Sequence, residues 1–111
     1  MQLEALTNKM IGLRYHSMLA LTSDCFVVHG GQHFKAISSK NVNGQLYAGI
    51  RQRPFSKCKV KWFTVKMSKP LQRFAHKLAI INNEIWCIGG FENSNDKESA
   101  KTLRLQLQES Q

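Results

Sequence analysis

Apolar residues along this chain gather in short runs broken by turn-forming residues. Leu19-Ala20-Leu21-Thr22 and Phe26-Val27-Val28-His29 are separated by Ser23-Asp24, and Gly30-Gly31 ends the second run. Leu78-Ala79-Ile80-Ile81, Asn82-Asn83, Ile85-Trp86-Cys87-Ile88 and Gly89-Gly90 repeat that order. Runs this short, rich in β-branched and aromatic residues and flanked by turn formers, predict strands. Each pair predicts a hairpin, because Ser-Asp and Asn-Asn bond their own backbone and tolerate the positive φ of tight turns. Leu46–Ile50 and Val60–Val65 predict two further strands. Thr102–Leu107 alternates strictly, so its leucines share one face. Leu, Arg and Gln are good helix formers, which leaves a helix as the rival for that stretch.

The two double glycines stand 59 residues apart. The same shift sets Arg14 on Arg73, Tyr15 on Phe74, Leu19 on Leu78, Ala20 on Ala79, Asp24 on Asn83 and Phe26 on Ile85. Further out, Leu3 falls on Trp62 and Leu46 on Leu105. A period of this size in a strand-rich chain points to a propeller or another sheet array.

These residues resemble the kelch repeat. The second copy runs Arg73-Phe74-Ala75-His76, then the apolar hairpin, then Gly89-Gly90. The first runs Arg14-Tyr15-His16-Ser17 through Gly30-Gly31, with its histidine one place nearer the arginine. Trp62 precedes Pro70 and Arg73, where the family's tryptophan and Pro-x-x-Arg stand. The resemblance implies an all-β fold of antiparallel four-stranded kelch blades in a partial β-propeller. Residues 2–10 would be the last strand of a preceding blade, 14–69 a first repeat and 73–107 a second, incomplete one. It makes Arg14, Gly30, Gly31, Trp62, Arg73, His76, Gly89 and Gly90 structural motif residues, with Trp62 and Trp86 packing between blades. Propellers usually have roughly 4–8 blades. About two blades in 111 residues imply a fragment of a longer propeller or a piece that must associate, with adhesive end strands.

The composition, 42% apolar and 21% charged, is that of a folded domain. No apolar run has the ~20 residues a membrane helix needs, and the start lacks the basic flank and apolar core of a secretory signal. Cys25, Cys58 and Cys87 are odd in number and widely spaced, which argues for reduced thiols in a cytoplasmic or nuclear protein. Cys58, between Lys57 and Lys59, is the candidate reactive thiol.

Charge adds one more feature. The formal net charge is +9, and no acidic residue lies between Asp24 and Glu84. Arg51, Arg53, Lys57 and Lys59 fall in that interval, after the third strand of the first repeat, and are the candidate partner-binding residues. The bland reading is a solvated basic face.

The inventory for catalysis is thin. No GxSxG, P-loop, HExxH or GxGxxG is present. Carboxylates are few and not paired at a site-like spacing. Cys25, His29 and His33 recur every four residues, but His33 lies past the glycines and a closed zinc site wants four ligands, so no metal and no cofactor is expected. Three classes stay open. A non-catalytic protein-interaction module, a scaffold or substrate adaptor, follows from the kelch resemblance, with an acidic segment as partner. Nucleic-acid or other polyanion binding follows from the basic interval. The third is the propeller appendage of an enzyme such as a tRNA-modifying methyltransferase. The expectation is the first: no enzyme, no membrane partner, and self-association through end strands.

Overall fold

The computed structural model describes residues 1–6, 12–33, 42–52, 59–92 and 101–108. Its fold is all-β, built from antiparallel sheets. The strands are β1 (Leu3–Ala5), β2 (Leu13–Arg14), β3 (Ser17–Ala20), β4 (Cys25–His29), β5 (Gln32–His33), β6 (Leu46–Arg51), β7 (Val60–Val65), β8 (Met67–Lys69), β9 (Lys77–Ile81), β10 (Glu84–Ile88), β11 (Thr102–Arg104) and β12 (Gln106–Leu107).

The larger sheet has five strands in the order β1-β7-β6-β4-β3. The smaller has β11-β10-β9, and β12 continues from β11 to pair with β8. Leu105 sits between β11 and β12 and keeps the ladder, donating its amide to the Ile85 carbonyl at 2.9 Å. Thr102–Leu107 is therefore extended, and the helix alternative fails because Leu105 must be buried between the sheets. β1, read from the sequence as part of a preceding blade, lies antiparallel along β7, with Leu3 opposite Val65 and Ala5 opposite Phe63. Residues 7–10 of that expected strand lie outside the described residues.

Both expected hairpins form. Asn82 and Asn83 have φ of 51° and 62°, the left-handed pair that a two-residue turn needs. The first turn is longer and covers Leu21–Asp24, so β3 begins at Ser17, earlier than the apolar run suggests.

The core lies between the two sheets. Val27, Leu46, Ala48 and Val65 from the larger sheet meet Ile85, Cys87 and Leu105 from the smaller. Side chains alternate along a strand, so Phe26, Tyr47, Gly49 and Trp62 point to the opposite face of the larger sheet. There Phe26 and Trp62 meet edge-on at 5.3 Å. A Cβ on Gly49 would lie 2.5 Å from the Phe26 ring, so glycine makes room for that pair. Trp86 likewise faces away from the core, with Ala79 and Arg104 opposite it. Both tryptophans thus occupy outward faces of this pair of sheets, half-buried.

The hairpins share one construction. Ser17 pairs with His29, and Lys77 pairs with Ile88. Gly30 and Gly31 have φ of 73° and 87°, and Gly89 and Gly90 have φ of 65° and 85°. A Cβ on Gly31 would strike the Arg14 carbonyl and His16, and one on Gly90 would strike the Phe74 carbonyl and His76. His16 therefore corresponds to His76, and Arg14 to Phe74. The arginines are one position out of phase, because the first hairpin, Ser17 to His29, is one residue longer than the second, Lys77 to Ile88. A second consequence concerns the faces. Val27 corresponds to Trp86, yet Val27 faces the core and Trp86 faces away from it. The two sheets stack front to back.

Candidate functional site

The double glycine after β4 marks where the two halves of the chain are tied together. Gly31 donates its amide to the Arg73 carbonyl at 2.7 Å, and Ala75 donates to the Tyr15 carbonyl at 2.7 Å. Asn43 is buried beneath this junction. Its Nδ2 donates to the carbonyls of Gly30 and Gln45 at 3.0 and 3.1 Å, and its Oδ1 accepts the Gln45 amide at 3.1 Å. Gln72 Nε2 donates to the Val42 carbonyl at 3.1 Å. These bonds satisfy backbone that strands leave open at their ends.

Arg73 is buried here. Its guanidinium donates to the Gln72 carbonyl at 2.8 Å and to Glu92 Oε1 at 3.3 Å. A buried cation needs such a carboxylate, since an unpaired one costs several kcal/mol. Arg14 lies at the surface, its guanidinium 5.8 Å from the Tyr15 ring centre. The two motif arginines therefore hold different positions.

Next to Arg73 stand three buried groups. His29 Nδ1 lies 2.9 Å from His76 Nε2, with the rings perpendicular. Cys87 completes the group: one donor atom from each of the three residues lies within 4.8 Å of the others. Burial pushes His29 down to about 3, helped by the His76 and Arg73 charges and opposed by a backbone contact with Leu71. Burial, with the charges of Arg73 and His16, pushes His76 down to about 4. Burial raises the Cys87 thiol to about 11, against the pull of Arg73. At neutral pH the three groups are uncharged. The sequence pattern set His29 with Cys25 and His33. The structure sets it with His76 and Cys87, because the glycines turn the chain away before His33.

Arg51 and Lys59 sit at the far end of the β6–β7 hairpin. Arg51 is opposite Val60, and Gln52 donates its amide to the Lys59 carbonyl at 2.8 Å. Arg51 Nε lies 3.4 Å from Asp24 Oδ1, and its amide bonds the Asp24 carbonyl at 2.8 Å. Lys59 is exposed, and Lys61 Nζ lies 5.4 Å from the Phe63 ring centre. Arg53, Lys57 and Cys58 lie outside the described residues. Sequence reasoning missed His29, Asn43 and Cys87 as a group. The signal available was positional: His29 precedes Gly30-Gly31, and Asn43 precedes Gly44.

No protein-family model matches the chain, and no curated protein matches it. Among the described residues no helix is long and apolar enough to cross a membrane.

Proposed function

We propose that the chain is a non-catalytic protein-interaction module of the kelch type, which holds an acidic protein segment at the basic end of the β6–β7 hairpin. The observation behind this reading is that Arg51 and Lys59 bracket the hairpin tip, with Arg53 and Lys57 between them in sequence. Asp24 is the acidic side chain that meets this end among the described residues, and it offsets Arg51 alone. The kelch reading is supported by the shared hairpin construction and by the front-to-back stacking of the sheets. An exposed ion pair contributes about 0.2–1 kcal/mol, so binding must be spread over several charges.

The test is capture of protein partners by the full chain, native or with Arg51, Arg53, Lys57 and Lys59 all reversed to Glu. Reversal and added salt should both weaken capture. Unchanged capture by the reversed chain overturns the reading. Full competition by RNA at physiological salt moves it to the polyanion class.

A second reading is self-association. The outward face of β9 and β10 presents Ile81, Trp86 and Ile88, and the β4 counterparts of Trp86 and Ile88, Val27 and His29, are buried. Sedimentation at increasing concentration should show a rising mass that Trp86→Arg reverses. A monomer throughout removes this reading.

A further inference from the structure

The His29, His76 and Cys87 side chains come from three separate segments. His29 ends β4, His76 precedes β9, and Cys87 lies within β10. None is more than 4% exposed. Two imidazoles and a thiol converging in an apolar interior are costly as plain packing, since each ring keeps polar atoms out of water. The His29–His76 hydrogen bond uses one nitrogen of each ring, and the second nitrogen of His76 has no hydrogen-bond partner among the described residues.

We infer that His29 Nδ1, His76 Nε2 and Cys87 Sγ form a three-coordinate site for a soft monovalent d¹⁰ cation, copper(I). Two ring nitrogens lie 2.9 Å apart, and a donor atom from each of the three residues lies within 4.8 Å of the others, near enough for small side-chain shifts to close them on one ion. Charge selects the ion. A thiolate and a monovalent cation cancel, whereas zinc would leave a net positive charge buried beside Arg73. Zinc in a closed site also wants a fourth ligand, and the described residues supply three. Thiolate with imidazole is the donor set that favours copper(I).

Binding balances simply. The Cys87 proton leaves to solvent as the sulfur–metal bond forms. The single proton of the His29–His76 bond moves to the outer nitrogen of its own ring, so both inner nitrogens offer lone pairs. The imidazoles stay neutral, and no electron is transferred.

The test uses the full chain carrying Cys25→Ser and Cys58→Ser, which removes the competing thiols. It is titrated anaerobically with copper(I) against a chromophoric copper(I) chelator. One equivalent should bind, with an ultraviolet thiolate-to-copper band and a raised melting temperature. Cys87→Ser should weaken binding on the order of 100-fold while keeping the strand spectrum in circular dichroism. X-ray absorption of the loaded chain guards against a variant that fails to fold, and should give one sulfur and two imidazole nitrogens. No competitive binding by the parental chain, or a copper shell without sulfur, overturns the site. One equivalent of zinc bound where copper(I) is not overturns the choice of ion.

Discussion

Gly30 lies so close to Arg73 that a Cβ on it would stand 2.3 Å from the Arg73 carbonyl oxygen and 2.5 Å from the His76 ring. Backbone meets backbone there, so the neighbour cannot swing aside. The first half of the chain closes on the second at a point where only glycine fits, with φ of 73°.

Gly30→Ala should therefore destabilise the fold heavily. The left-handed conformation alone costs roughly 1–2 kcal/mol with a side chain. The clash adds to that and displaces either Arg73 or the whole junction. Urea denaturation reads the loss as a lower midpoint. A midpoint equal to the parent's would mean that the junction is not closed in solution.

Ile85→Ala should cost about 2–5 kcal/mol, because Ile85 fills the space between the sheets. Trp62→Ala removes the edge-on partner of Phe26 and should cost less, since Trp62 is only half-buried on the outward face. A larger drop in melting temperature for Trp62→Ala than for Ile85→Ala would place the main core on the other side of the larger sheet.

The metal-free chain should lose stability as pH falls below neutrality. His29 and His76 bind protons near 6.5 when unfolded, but only at about 3 and about 4 when folded. Between those values the unfolded chain holds more protons, so protonation pulls the equilibrium toward unfolding. The contribution is complete above pH 6.5 and falls away down to the folded values. Each histidine contributes a slope near 1.4 kcal/mol per pH unit in that window. Denaturation midpoints recorded in chelator from pH 8 to pH 4 check this. A flat profile would show that neither histidine is held neutral by burial.

Asp24→Asn should strengthen capture of an acidic partner while changing stability by about 0.2–1 kcal/mol at most. The substitution removes the carboxylate beside Arg51 and leaves the backbone bond between the two residues in place. Weakened capture would mean that Asp24 orients Arg51 for binding.

The hairpins, the turn residues and the glycines were legible in the sequence because each is decided locally. Asn82-Asn83 dictates its own turn, and the apolar runs dictate their strands. The placement of β1 on β7 was not legible, since three residues with no turn signal can pair with any open edge. The His29–His76–Cys87 group was hidden for another reason. His29 and His76 are 47 positions apart, and only the stacking of the two sheets brings them together. Arg14 and Arg73 misled in the opposite direction. They match at a fixed shift, but the longer first turn sets them on different rungs.

That extra residue shows what this architecture guards and what it lets drift. The turn at Leu21–Asp24 takes up the added length, and the strand before it slips by one place relative to the glycines. The register between each histidine and its glycine survives intact. Length is thus elastic at the tip of the hairpin and rigid at its base. A ruler laid along the sequence measures the tip, whereas the fold keeps time by the base. Two halves built alike can therefore fall out of step residue by residue while remaining in step where they touch.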